Sequence, residues 1–270
     1  MEKENGLNEK TFECHKKIAL NCAKIGDYEK SQKHLSAMLE MTDTWGRNDV
    51  VAAIQAIIEF ASDFSSIDEE PKMAMLNTTG DYLKSHNRNM WLEFCIQVGN
   101  RCLRHHNYEQ LERVIEDVKA NLRMPNGMMD KTNSNLLEIY ALEIQLCESK
   151  NDQKRLRQIY PETIELSNVI KQASVTAIIQ ECGGKMNMMQ KQWKVAMEQM
   201  FEAFKCYQEI GNSPQAKKLL KYVIFGSILG ESQINYLTTQ EAKVFEDDPE
   251  IQAVVRIKKA YETNQTKQVL

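Results

Sequence analysis

The sequence predicts an all-α fold, a stack of helix pairs, and three observations lead there. The 270 residues include only 11 glycines and 5 prolines, few for a fold rich in turns, so long helices with short connections are favoured. A unit made of an apolar-faced helix, a polar turn and a second helix recurs along the chain. In the second helices the apolar residues share one face: Tyr108, Leu111, Val114, Ile115, Val118 and Leu122 in one, Trp193, Met197, Met200, Phe201 and Phe204 in another.

The first unit is IALNCAKIGDYEKSQKHLSAML and the next clear copy is VGNRCLRHHNYEQLERVIEDV. Then come YALEIQLCESKNDQKRLRQIY and ECGGKMNMMQKQWKVAMEQMFEAF. Aligned on the residue after the turn, they place Tyr28, Tyr108, Gln153 and Trp193 in register at intervals of 80, 45 and 40 residues. A more divergent pair between Val50 and Lys84 fits inside the first interval. A period near 40 with two helices per unit indicates an αα-solenoid of the tetratricopeptide or HEAT kind, each pair burying its stripe against its neighbours. Loops are expected at MPNGMMD (124–130), at GNSPQ (211–215) and at EDDPE (246–250). In the second of these, Ser213 is expected to cap the next helix, with Pro214 in its first turn. The final IQAVVRIKKAYETNQTKQVL reads as a helix, a turn at ETNQ and the start of another helix, as expected of a piece of a longer chain.

Composition narrows the function classes. Hydrophobic content of 42% and charged content of 27% are those of a soluble globular protein. A net charge of −4 argues against nucleic acid or a membrane surface as the main partner. The seven cysteines, at positions 14, 22, 95, 102, 147, 182 and 206, form no C-x-x-C and read as reduced core residues of a cytoplasmic or nuclear protein. The polar start MEKENGLNEK shows no secretory signal, and no apolar run is long enough to span a bilayer.

A search for chemistry returns little. Gly183-Gly184-Lys185 suggests a phosphate loop, but it lies within helix-like sequence and Met186 stands where a hydroxyl is needed. Small side chains that admit a neighbouring helix are the better reading. His105 and His106, near Cys102, point about 100° apart on a helix and read as a solvated pair beside a turn. Cys14 and His15 lie on different helix faces, so a nucleophile–base pair is not indicated. The fourteen methionines suit an adaptable core. Charge is uneven: SIDEEP and FEDDPE are acidic, while Lys16-Lys17, Lys30-Lys33-His34 and Lys217-Lys218-Lys221 are basic clusters. A helical-repeat enzyme or ligand-binding protein would need a pocket of convergent polar groups, which nothing in the sequence demands.

Four stretches carry a resemblance: LLEIYALEIQL (136–146), ECGGKM (181–186), FEAFKCYQEIGNSPQAKKLLKYVI (201–224) and INYLTTQEAKVFEDDPEIQAV (234–254). In order and spacing they are similar to the subunit 2 family of the COP9 signalosome. The likeness is specific from about residue 134 to 270. It is weaker before that, in AKIGDYEKSQKHLSAML and MWLEFCIQVGNRCLRHHNYEQLERVIEDV. A sister family in the 26S proteasome lid shares part of the 201–224 stretch and ranks second.

The resemblance implies a right-handed αα superhelix leading into the helical part of a PCI domain. Residues 1–133 would form the N-terminal arm, and residues 134–270 further repeats and the start of the PCI module, without its winged helix. It further implies a non-catalytic scaffold with no cofactor, located in cytoplasm and nucleus. Its partners would be other signalosome subunits and the cullin–RING ubiquitin ligases, gripped at the cullin C-terminal region and the RING subunit. Another subunit would remove the Nedd modifier. A proteasome-lid scaffold is the alternative. The candidate partner-binding residues are Lys16, Lys17, Lys24, Lys30 and Lys33. Members of the family also hold inositol hexakisphosphate with basic residues in the N-terminal helices. Here Glu13 stands where a lysine is expected, so no inositol phosphate residue is assigned.

Overall fold

The computed structural model describes residues 2–25, 27–42, 69–123, 129, 135–170, 172–231 and 236–263. Among them are twelve α-helices, one short 3-10 helix and no strand, only an isolated bridge between Arg123 and Met129. The chain forms two compact units, residues 1–129 and 130–270. The first holds α1 (Glu2–Ile25), α2 (Tyr28–Thr42), α3 (Glu69–His86), α4 (Arg88–Arg104) and α5 (Tyr108–Leu122). The second holds α6 (Asn135–Lys150), α7 (Gln153–Val169), α8 (Ala173–Met189), α9 (Trp193–Glu209), α10 (Ser213–Leu229), α11 (Gln240–Lys243) and α12 (Pro249–Glu262). The all-α fold of helical repeats is as the sequence predicts.

The turns explain why the units recur. After α4 the N–H of Asn107 donates to the Cys102 carbonyl and that of His106 to Leu103. This is the paired bond pattern that satisfies the last carbonyls of a helix when the next residue is left-handed. His106 is that residue, at φ 57°, and Asn151, Lys191 and Gly211 hold the same place with φ of 56°, 60° and 74°. In three of these four turns the side chain of the residue that follows caps the next helix: Asn107, Asp152 and Asn212 accept from the N–H groups of Gln110, Arg155 and Gln215, whereas Gln192 makes no such bond. One residue therefore closes one helix and opens the next. Tyr28, Tyr108, Gln153 and Trp193, aligned by sequence, are all first residues of helices.

Two details correct the sequence reading. The cap of α10 is Asn212, not Ser213, because the Schellman geometry puts the residue after Gly211 in the cap position; Pro214 does lie in the first turn. The half-repeat is also sharper than a 40-residue period suggests. Helices α7, α8, α9 and α10 are each 17 residues long, and their starts at 153, 173, 193 and 213 are 20 residues apart. The EDDPE loop supplies Asp248, which caps α12 by accepting from Glu250 and Ile251. Helix α12 ends within ETNQ. Most of the 124–130 loop, the 50–68 part of the divergent pair and the segment from 264 onward lie outside the described residues.

Burial follows the stripes. Leu111, Ile115, Val118 and Leu122 of α5 are fully buried, as are Met200 and Phe204 of α9. Phe204 stands at the centre of a core that joins α8, α9, α10 and the segment up to α12, with Phe201 and Phe245 rings at 5.6 and 6.1 Å. Burying each such ring contributes about 1.5–3 kcal/mol. Met38, Met90, Met197 and Met200 are core residues. All seven cysteines are free thiols; Cys95, Cys102, Cys147 and Cys182 are buried, but Cys14 is exposed, contrary to the core reading.

Candidate binding surface

Gly183 and Gly184 lie in the middle of α8 and are both buried. A Cβ on Gly183 would come within 1.9 Å of the Tyr160 hydroxyl, and one on Gly184 within 2.6 Å of the Met200 side chain. The glycines admit neighbouring helices; they do not cradle phosphate. Beside them runs a polar chain in which Asn187 donates to Gln199, and Gln199 donates to the Tyr160 hydroxyl. Burial pushes the Tyr160 hydroxyl up to about 12.

Two buried carboxylates, not singled out by sequence, organise the second unit. Glu181 of α8 accepts from the Tyr207 hydroxyl at 3.0 Å and from Gln215 at 3.4 Å, and pairs with Lys185 at 2.9 Å. It thereby ties α8 to α9 and α10. Glu143 of α6 is held by Arg155 of α7 at 2.9 Å. Lys185 also reaches Glu148 of α6 at 3.2 Å. Burial works against its charge, but Glu148 and Glu181 prevail and its pKa is raised. A buried carboxylate is tolerated only with such partners.

The basic cluster of α10 is likewise engaged within the unit. Lys217 pairs with Asp248 at 3.2 Å and Glu250 at 2.9 Å, and Lys221 pairs with Glu250 at 2.6 Å. Lys221 and then Lys217 hold the Glu250 carboxyl down at about 2. Lys217 and Lys221 thus answer the acidic FEDDPE stretch across α10 and the start of α12, while Lys218 faces Glu181 at 3.8 Å.

The α1–α2 hairpin is different. Its closure rests on Phe12, Ala19, Leu35 and Met38, all buried, and on two polar links. Ser31 Oγ donates to the Ala19 carbonyl at 2.8 Å, and the Nδ1 atoms of His15 and His34 face each other at 2.9 Å. The ring centroids are 5.1 Å apart, close to the separation of two rings sharing one hydrogen bond end to end, which leaves no space for an ion between them.

The lysines lie on the outer parts of this hairpin. Lys16 pairs with Glu13 at 3.4 Å and Lys30 with Asp27 at 2.7 Å, each a neighbour three residues away. The Lys30 ammonium holds the Asp27 carboxyl below its usual range. Lys17 and Lys33 are exposed, and Lys33 lines a shallow trough with Glu29, Ser36, Ala37 and Glu40. The side chain of Lys24 lies outside the described residues. Exposed pairs of this kind hold their partners only weakly, so an incoming carboxylate can displace them.

The remaining motifs are not brought together for chemistry. His105 and His106 are exposed, and His106 Nδ1 meets the Tyr108 hydroxyl at 2.9 Å. Among the described residues no group of three or more His, Cys, Asp or Glu side chains is placed to hold a metal ion. No described helix is long and apolar enough to cross a membrane. Burial pushes the Cys95 and Cys182 thiols up to about 12, so they are not reactive thiolates at neutral pH.

No protein-family model matches the chain. Curated proteins do. It is 31% identical over 265 residues to the COP9 signalosome complex subunit 2 of Dictyostelium discoideum, covering 97% of this chain and 59% of that protein. It is 29% identical over 263 residues to the protein of that name in Schizosaccharomyces pombe, 96% and 60% of the two chains. For Drosophila melanogaster the figures are 31% over 224 residues, 81% and 49%. The chain thus spans about three-fifths of the first two relatives. Over nearly its whole length, the chain is similar to COP9 signalosome subunit 2 proteins.

Proposed function

We propose that this chain is the helical-repeat arm of a COP9 signalosome subunit, a non-catalytic scaffold that works by binding proteins. Similarity along 97% of its length to a protein named as subunit 2 of that complex is the observation that carries this reading. Other signalosome subunits are then its partners, and cytoplasm and nucleus its location. In the finer form, the arm grips a cullin–RING ubiquitin ligase at the cullin C-terminal region and its RING subunit, while another subunit removes the Nedd modifier. The α1–α2 hairpin is the surface we assign to that grip. Lys16, Lys17, Lys30 and Lys33 are tied to no distant carboxylate among the described residues, unlike the lysines of α8 and α10. Lys24 is included on sequence alone.

The test is direct binding of the chain to a purified cullin C-terminal region with its RING partner, by calorimetry at low and high salt. Binding that weakens with salt is expected, since exposed charges are screened beyond about 10 Å at 0.1 M. No binding by a chain shown to be helical would sink the grip and leave a scaffold role. A proteasome-lid subunit is the alternative, separated by which set of partner subunits the chain joins in reconstitution.

A further inference from the structure

The first unit contains a groove that none of this uses. It lies between α3 and α5, is floored by α4, and encloses about 370 Å³. That is at the lower end of the range of clefts that bind ligands. Trp91 and Phe94 form its apolar floor. Asn77 and Asp81 stand on the α3 wall, Gln110 and Arg113 on the α5 wall. Asp117, also on the α5 wall, pairs with Lys84 of α3 at 2.8 Å, which ties the two wall helices together.

The wall groups have a common property. The carboxylate of Asp81, the guanidinium of Arg113 and the carboxamides of Asn77 and Gln110 have no hydrogen-bond or ion-pair partner among the described residues. In the second unit, by contrast, lysines and carboxylates that face across helices find each other. A carboxamide carries both donors and an acceptor, so one on each wall suits the backbone of an extended peptide. The opposed charges ask for a segment with a base on one side and an acid on the other.

We propose that this groove docks an extended segment of a partner protein, with one apolar side chain on the Trp91–Phe94 floor, a basic residue at Asp81 and an acidic residue at Arg113. The inference rests on reading the chain as a protein-binding arm and adds a second contact, apart from the lysines of α1 and α2.

The experiment uses the full chain and synthetic peptides. Each peptide has a central Leu, Phe or Trp in a Gly-Ser background, with Lys on one side and Asp on the other, at varied spacing and in both orders. Fluorescence polarisation should find arrangements that bind. Asp81→Lys should weaken those about tenfold, and changing the peptide lysine to glutamate should restore binding to that variant. Arg113→Glu should act likewise on the acidic side. Both positions are exposed, so helical circular dichroism should be unchanged. Charge reversal at Lys16, Lys17, Lys30 and Lys33 should leave peptide binding within about twofold, which separates the groove from the hairpin. The proposal is overturned if no peptide binds at about 1 mM, or if neither wall variant alters binding. It is also overturned if the peptides fail and Asp81→Lys instead abolishes self-association, because a second copy would then be the occupant.

Discussion

In the second unit, lysines meet carboxylates 29 to 37 residues away in sequence: Lys185 with Glu148, Lys217 with Asp248 and Glu250, Lys221 with Glu250. In the α1–α2 hairpin the pairs are Lys16 with Glu13 and Lys30 with Asp27, three residues apart. The first kind joins one helix to another and fixes how they pack. The second lies along one helical edge and fixes nothing beyond it. The difference teaches that a lysine cluster is structural where a distant element answers its charge, and available for a partner where only its own neighbours do.

The sharpest way to break that comparison is to remove a structural carboxylate. Glu181→Ala leaves Tyr207 and Gln215 without their acceptor and Lys185 with Glu148 alone, and should cost about 2–3 kcal/mol in urea unfolding. That figure is discounted because Lys185 is 37% exposed and can rehydrate. Glu13→Ala in the hairpin should move stability by no more than about 0.5 kcal/mol. Equal losses would erase the distinction.

Packing supplies the next effect. Gly183→Ala gains about 1 kcal/mol of helix propensity. It also forces the Tyr160 hydroxyl from its place, and overpacking costs about 1–3 kcal/mol. A net loss near 1 kcal/mol is expected by thermal denaturation. In the first unit, Gly80→Ala meets only Phe94, at 3.3 Å, and should be close to neutral.

Acid gives a smaller, local signal. Glu250 has a folded pKa of about 2 against an ordinary 4.5, so the stability it contributes is complete above 4.5 and is lost as pH falls toward 2. Unfolding followed from pH 5 to pH 2.5 should show this loss, and Lys221→Met should flatten it. Last in stability, but largest in binding, is charge reversal at Lys16, Lys17, Lys30 and Lys33. Unfolding should be nearly unchanged, as at other surface positions, while the cullin binding proposed above, measured by calorimetry, should fall and lose its salt dependence. Unchanged binding would move the partner surface off the hairpin.

The fold was legible because apolar spacing is a local property: 111, 115, 118 and 122 on α5 can be read without knowing what they touch. The turn register was legible for the same reason, although Lys191 takes the left-handed conformation with a side chain that does not announce it, unlike Asn151 or Gly211. Cap assignment at 212 against 213 was not legible, since it depends on which residue takes the positive φ. Of the charged residues, sequence picked out the α10 lysines and the FEDDPE stretch but did not join them, and it passed over Glu143 and Glu181.

By itself, then, the sequence determined the helices, their 40-residue repetition, the packing role of Gly183 and Gly184, and the likeness to signalosome subunit 2 proteins. Tertiary structure decided which charges are spent inside the protein and which remain at its surface. It also decided that Trp91, Asp81 and Arg113, on three different helices, share one groove. Periodicity is written within a single helix, whereas the neutralisation of a charge and the walls of a groove depend on elements tens of residues apart, brought together only when apolar faces pack.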